Sequence, residues 1–290
     1  MTARTGVGAG LQPGTNTISQ VLRLSTEHLE ARGSETPRLD AERLLAKALG
    51  LERIDLYMAF DRPLSETELA AARTLVARRA RREPLQYVLG EWGFRRLTLN
   101  VDRRALIPRP ETEVLVQRAL ALLVGCERPR VLDVGTGSGA IALAITDEHP
   151  GAVVTAVDCS EDALALAAEN RALTGLVVEL ACHDLFLGLP DGPWDLVVSN
   201  PPYVEAADLP TLQPEVRDWE PHGALSAAGA VEAVARGAVG VLVAGGRLAL
   251  EVGDGQASAT AALLRELGFV EVRVAPDLSG LDRVVEGRRA

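Results

Sequence analysis

The order of apolar and polar positions divides the chain into two unlike stretches. From about Thr17 to Gly90 the spacing is helical. "DAERLLAKALG" carries apolar residues at Leu44, Leu45, Ala48 and Leu49, with Asp40 as an N-cap candidate and Gly50 as a C-terminal stop. "SETELAAARTLVARRARR" opens with Ser65 and Glu68 in capping-box spacing and continues in strong helix formers. These segments predict a small all-helical domain. "WGFRRLTLNVDRRALI", from Trp92 to Ile107, alternates as a connecting hairpin would, and Pro110 suits the first turn of a helix from Glu111 to Val124.

Beyond that helix, strand and helix patterns alternate. "RVLDVG" reads as a strand, Ala140 to Glu148 as a helix, "AVVTAVD" as a strand, Glu161 to Leu173 as a helix, and "LVVELA" and "WDLVVSN" as strands. "GGRLALEVG" and "FVEVRVA" follow, separated by a helix from Gln256 to Leu267, and "DRVVEGR" is a last strand. The alternation predicts an α/β domain with a largely parallel sheet covered by helices on both faces. Ligands of such sheets sit beyond the carboxyl ends of the strands. The expected organisation is a disordered tail at 1–16, a helical domain at 17–90, a hairpin linker at 91–109 and the α/β domain at 110–290.

Composition narrows the class. At 47% hydrophobic and 24% charged residues, the 290-residue chain is composed like a soluble globular protein. No apolar run approaches the roughly 18 to 20 residues of a membrane span, and no signal-peptide pattern opens the chain, so a cytoplasmic protein without membrane association is expected. Cys126, Cys159 and Cys182 are far apart with no paired-cysteine motif, which suits unbridged thiols in a reducing compartment. Adjacent Cys182 and His183 do not amount to a zinc site, and no metal is expected. The net charge of −10 is uneven: residues 1–105 hold 17 Lys+Arg against 13 Asp+Glu, and the remainder 13 against 27. An acidic main body argues against a long footprint on nucleic acid. Arg73, Arg78, Arg79, Arg81 and Arg82 crowd one helical stretch, either as a solvated face or as a docking face for an acidic partner.

The candidate chemistry lies at four successive strand ends. "VLDVGTGSGAIALAI" sets Gly135, Thr136, Gly137, Ser138 and Gly139 between a strand and a helix, where glycines admit a ligand close to the backbone and helix N–H groups face it. The G-x-G-x-G spacing, with Asp133 just before it, suits the cationic amino-acid end of S-adenosylmethionine better than a dinucleotide pyrophosphate. Asp158 ends the second strand about 20 residues on, where a carboxylate can take both ribose hydroxyls. Asp184 ends the third, within reach of an adenine amino group. Each of these acids has a plainer reading as a helix N-cap. The fourth strand end is "SNPPY". Pro201 and Pro202 stop the ladder and push Asn200 out of the α region, so the Asn200 side chain and the following carbonyls are displayed as hydrogen-bond acceptors.

With these motifs in view, the sequence resembles the class I S-adenosylmethionine-dependent methyltransferases and, within them, the HemK/PrmC family of peptide chain release factor glutamine N5-methyltransferases. The resemblance covers nearly the whole chain after its first 16 or so residues. It rests on "REPLQYVLGEWGF" (Arg82 to Phe94), "LIPRPETE" (Leu106 to Glu113), "LDVGTGSGAIALA" (Leu132 to Ala144), "SNPPY" (Ser199 to Tyr203), Glu220 with Pro221, and "LDRVVEGR" (Leu281 to Arg288). Asn-Pro-Pro-Tyr is shared with adenine N6 methyltransferases acting on DNA; "LIPRPETE" and the helical N-terminal domain single out the release-factor enzymes. The resemblance implies a Rossmann-like domain with a mostly parallel seven-stranded sheet, S-adenosyl-L-methionine as cofactor, S-adenosyl-L-homocysteine as product, and a monomer whose N-terminal helices grip the release factor. Two departures stand out. The segment Ala224 to Val234 is Ala-rich and lacks the family's usual Asp-Gly, and Leu185 replaces an aromatic residue that packs near adenine in some relatives.

Carried onto this chain, the resemblance implies cofactor binding by Gly135, Thr136, Gly137, Ser138, Gly139, Asp158, Asp184, Leu185 and Asn200, and substrate binding by Asn200, Pro201, Pro202 and Tyr203. A glutamine amide nitrogen is a poor nucleophile because its lone pair is delocalised, so orientation and acceptors are needed rather than a strong base. The Asn200 oxygen and the Pro201 carbonyl accept the two amide N–H bonds, and Tyr203 lies against the flat amide and excludes water. Asn200, Pro201 and Tyr203 are therefore the expected catalytic group. Two other functions compete: an adenine N6 methyltransferase on nucleic acid, which would have to flip its base out, and a non-catalytic adaptor that binds release factors through its helices.

Overall fold

A computed structural model describes residues 16–290. Of the expected tail, residues 1–15 lie outside the described residues. Asn16 is buried, and its carbonyl accepts from Leu64 N at 2.9 Å. The chain forms two compact units, one comprising residues up to Gly90 together with Pro214–Trp219, the other Glu91–Gln213 and Glu220–Ala290.

The first unit is helical. It contains α1 (Ile18–Ala31), α2 (Pro37–Leu49), α3 (Arg53–Met58), α4 (Glu66–Arg79) and α5 (Leu85–Leu89) around a core that includes Ile18, Leu22, Leu44, Leu56 and Leu69. Two boundary signals act as their chemistry predicts. Ser65 and Glu68 exchange hydrogen bonds in a capping box at the start of α4, and Gly50 takes φ +63° to end α2. Asp40 is not the N-cap of α2. Thr36 holds that place with Pro37 following it, and Asp40 lies inside the first turn, buried, accepting from Ser34 Oγ at 2.7 Å, Thr36 Oγ1 at 2.9 Å and Arg79 Nε at 2.7 Å. The arginine-rich end of α4 is also more internal than its composition implies. Arg79 is buried and pairs with Asp40 and with Glu215 at 2.8 Å, Arg82 pairs with Glu215 at 2.6 Å, and Arg78 pairs with Glu83. Glu215 belongs to a short helix, α9 (Pro214–Arg217), far along the chain, so these two ion pairs hold the segment Pro214–Trp219 in the helical unit.

The second unit opens with a hairpin, β1 (Glu91–Phe94) paired antiparallel to β2 (Leu97–Asn100), followed by α6 (Pro110–Leu122). The alternating series is β3 (Arg130–Val134), α7 (Ala140–Glu148), β4 (Val153–Asp158), α8 (Glu161–Thr174), β5 (Glu179–Cys182) and β6 (Trp194–Ser199). It continues through α10 (His222–Leu225), α11 (Ala230–Val241), β7 (Leu242–Glu251), α12 (Ala257–Glu266), β8 (Phe269–Pro276) and β9 (Asp282–Arg289). Seven strands form one sheet in the order β5-β4-β3-β6-β7-β9-β8, parallel except where β9 runs against β7 and β8. Along β6, Leu196 and Val198 pack on one face with residues of α6 and α7, while Val197 packs on the other with residues of α11 and α12, so both faces are covered. That two-sided burial is why "LVV", Leu196 to Val198, is continuously apolar.

β5 is shorter and later than "LVVELA" suggests. Val177 is exposed, and pairing to β4 begins only at Glu179 opposite Thr155, because Leu176 to Val178 carry the chain from the end of α8 back to the sheet edge. The order reverses beside β3: β4 and β5 lie on one side of it and β6 and β7 on the other. Such a reversal opens a crevice at the carboxyl ends of the central strands.

Candidate active site

The glycine loop leaves β3 and is bound to its neighbour before α7 begins. Gly135 N and Thr136 N both donate to Val157 O, at 2.8 and 3.0 Å, and Gly137 N donates to Asp158 Oδ2 at 2.9 Å. Gly135, Gly137 and Gly139 have φ of +73°, +56° and +83°, the left-handed region that side chains resist. Gly139 is under a second constraint, since a Cβ there would lie 3.3 Å from both Ala167 Cβ and Leu143 Cδ1. Ser138 is tied down through Asn170, a fully buried side chain on α8 that donates to Ser138 O at 2.9 Å and exchanges bonds with the Asn100 backbone.

Around this loop lies a cavity of about 280 Å³. Of the sequence-nominated residues, Gly135, Thr136, Gly137, Ser138, Asp158, Leu185, Asn200 and Pro202 line it. Gly139, Asp184, Pro201 and Tyr203 are not among its lining residues. Gly139 sits at the N-cap of α7, and Pro201 is buried directly after Asn200. Asp184 is exposed and accepts from Phe186 N at 2.9 Å through Oδ1, capping the short turn Leu185–Leu187, so the capping role is realised for this acid. For Asp158 it is not. Ser160 caps α8, and the Asp158 carboxylate instead accepts from Gly137 N and from Ser160 N at 2.9 Å, across the strand ends.

The opposite wall comes from the segment Arg104–Arg109, from Thr112 and from Pro221, Gly223 and Ala224. Glu220, buried, holds two of these pieces together by accepting from the Arg109 guanidinium and from Ile107 N. Burial raises its carboxyl above the ordinary range against the pull of Arg109. This explains "LIPRPE" and "EP" as one structural unit separated by more than a hundred residues.

Asn200 follows the last residue of β6 and donates from Nδ2 to Thr112 Oγ1 at 3.2 Å. Tyr203 donates its hydroxyl to Glu251 Oε1 at 3.3 Å, and its carbonyl accepts from Gln256 Nε2 at 2.9 Å. Glu251 ends β7 with no exposure, and burial pushes its carboxyl up to about 7. Tyr203 is raised to about 12 by burial and then by the nearby Glu251 charge. Asp133, wholly buried beneath the loop and accepting from Thr136 Oγ1 at 2.7 Å, is also pushed up to about 7 by desolvation.

Sequence reasoning assigned nothing to Thr112, Asn170 or Glu251. Thr112 falls inside the quoted "LIPRPETE" without a role, and Asn170 is an ordinary polar residue of a helix. Glu251 did leave a signal, an acid at the end of the apolar run "LALE" in a central strand. Among the described residues no group of three or more His, Cys, Asp or Glu could hold a metal ion, and all three cysteines are free.

Residues 20–90 match the family described as the PrmC N-terminal domain, and residues 111–214 match the methyltransferase small domain. The chain is 45% identical over 276 residues to the release factor glutamine methyltransferase of Geobacter sulfurreducens, covering 94% of this chain and 96% of that protein. The protein of the same name from Deinococcus radiodurans is 45% identical over 279 residues, with 94% and 99% covered. A solved 16S rRNA methyltransferase of T. thermophilus, in complex with AdoMet and guanosine, shares the fold with a TM-score of 0.50 at 19% identity, over 69% of this chain and 50% of that one.

Proposed function

This chain belongs to the family of release factor glutamine methyltransferases, and we propose that it methylates the side-chain amide nitrogen of the glutamine in the Gly-Gly-Gln motif of peptide chain release factors. The observation that carries the reading is Asn200. It lies on the wall of the cavity that the glycine loop also lines, and its amide nitrogen is committed to Thr112, which leaves its oxygen as an acceptor.

The residues fit S-adenosylmethionine as the methyl source. Left-handed glycines at Gly135 and Gly137 keep side chains away from the ligand's approach, and Asp158 retains lone pairs beyond those used by Gly137 and Ser160 for a ribose diol. Leu185, Ala163 and Ile141 offer apolar surface to adenine. When bound, the cofactor supplies a sulfonium methyl carbon open to in-line attack and departs as S-adenosylhomocysteine.

The chain's own residues do the rest by position. The Asn200 oxygen and the Pro201 carbonyl accept the two N–H bonds of the glutamine amide, aiming its remaining face at the methyl donor. Tyr203, anchored at its hydroxyl and its carbonyl, shields the amide from water. The nitrogen becomes strongly acidic once methylated, so its proton leaves to solvent and no side chain has to act as a base. In this reading the helices of residues 17–90 grip the release factor, the protein works as a cytoplasmic monomer, and nucleic acid is not a partner.

An adenine N6 methyltransferase would use the same acceptor pair, but the names of the curated relatives and the acidic α/β portion both favour the protein substrate. The test offers labelled S-adenosylmethionine together with a purified release factor and duplex DNA. A methyl group on the motif glutamine, located by mass spectrometry, supports the reading. Label on adenine overturns it.

A further inference from the structure

The seven-stranded sheet fixes the order in which an extended ligand meets the strand ends. β3, β4 and β5 are neighbours, so a cofactor with its amino-acid end at the glycine loop and its ribose at Asp158 carries its base onward to the end of β5. His183 is the first residue beyond β5. Its backbone N donates to Asp158 O at 3.0 Å, which adds one bond to the pairing of β4 with β5 and places His183 beside that acid. His183 is half-buried and lines the cavity together with Cys159, Ser160 and Leu185.

A half-buried imidazole is ordinarily free to change rotamer. Here a side-chain bond holds it. His183 Nε2 lies 2.9 Å from Gly188 O, and because a carbonyl only accepts, Nε2 carries a proton and donates. Gly188 directs that carbonyl from φ +107° and ψ −172°, a region of backbone that belongs almost wholly to glycine. The turn between the two residues is closed by its own bonds, Asp184 Oδ1 accepting from Phe186 N at 2.9 Å and Asp184 O from Leu187 N at 3.0 Å. The tip of the turn is not held by burial, since Phe186 and Leu187 are exposed.

We infer that His183 is a base-contacting residue of the cofactor site, its imidazole fixed by Gly188 O as a ready-made wall for the adenine ring. The inference deepens the proposed function and rests on the reading that S-adenosylmethionine is the cofactor. Two aromatic rings in contact gain affinity beyond the area they bury. A ring already held by the His183 backbone bond and by Nε2 loses little rotamer freedom when the base arrives, so the contact adds to binding without a large ordering cost. His183 has no part in orienting the glutamine amide, which falls to Asn200 and Pro201. It acts on cofactor affinity and not on the methyl-transfer step.

The test uses the purified full chain, with Kd for S-adenosylhomocysteine from calorimetry and the ring C–H resonances of the four histidines from NMR. His183→Ala identifies the His183 resonance by its loss. In the parent the ring current of bound adenine should shift that resonance, and methylthioadenosine, which carries the base and ribose without the amino acid, should shift it in the same direction. His183→Ala should weaken Kd by about two- to tenfold, while kcat on a release factor at saturating S-adenosylmethionine stays near the parent's. Gly188→Ala should weaken Kd as well, because a Cβ there meets nothing within 4 Å and only the backbone conformation that aims the carbonyl is disturbed. An unmoved His183 resonance in the ligand-saturated parent, or a parental Kd in His183→Ala beside a weakened Asp158→Ala, would overturn the inference and leave the cofactor reading standing. A parental Kd in Gly188→Ala would overturn the fixing of the ring. A parent that binds neither ligand would remove both the inference and the reading beneath it.

Discussion

Gly137 N donates to Asp158 Oδ2 at 2.9 Å, joining the glycine loop after β3 to the acid that ends β4 across 21 positions of sequence. Gly137 makes this bond from the left-handed region, at φ +56°. Ser160 N holds the other carboxylate oxygen. An acid held on both oxygens is already ordered, so binding a ribose diol costs little further side-chain entropy.

Asp158→Ala should therefore weaken S-adenosylmethionine binding by about 1.5 to 3 kcal/mol, the worth of hydrogen bonds to a charged group. Calorimetry on the purified chain measures it directly. A Kd equal to the parent's would remove Asp158 from the cofactor site.

Gly253 makes a separate test of Tyr203. A Cβ at Gly253 would sit 3.0 Å from Tyr203 Cδ2 and 3.0 Å from Gln256 Oε1, pressing on the ring and on the residue that holds its carbonyl. Gly253→Ala should lower turnover by roughly tenfold through misplacement of Tyr203, with cofactor affinity retained. Unchanged turnover would show that the position of the ring is not critical.

Asp133 links the site to pH-dependent stability. Burial raises it to about 7 in the folded chain, above the roughly 3.9 of an unfolded aspartate. The folded state thus holds this proton more tightly, so the contribution to stability is complete below about pH 4 and is withdrawn as pH rises through about 7. Asp133→Asn carries no such charge. Its melting temperature relative to the parent should rise between pH 5.5 and pH 8.5, measured without cofactor, whereas an equal difference at both pH values would contradict the buried, titrating acid.

Much of this molecule can be read from its sequence because the signals are local. The two-sided burial of β6 writes a continuous apolar run, Gly50 and the Ser65–Glu68 box mark helix ends, and the glycine loop announces itself by composition. What escapes is set by contacts distant in sequence. Asp40 has the makings of a cap, yet Arg79, 39 positions away, draws it into a buried ion pair. The segment around Glu215 joins the helical unit because Arg79 and Arg82 hold it, which no linear division anticipates. Thr112 and Glu251 matter only once the fold brings α6 and the ends of β6 and β7 together, and what Glu220 holds shows only when it meets Ile107 and Arg109.

The most direct test of the account is the turnover of Asn200→Ala on a purified release factor, with cofactor affinity measured on the same preparation. Removing one oriented hydrogen-bonding group from a preorganised site should lower kcat by about 10² to 10³, roughly 2.7 to 4 kcal/mol, while S-adenosylmethionine binds within a few-fold of the parent. Near-parental methylation of the motif glutamine by Asn200→Ala would contradict the claim that the Asn200 oxygen orients the reacting amide.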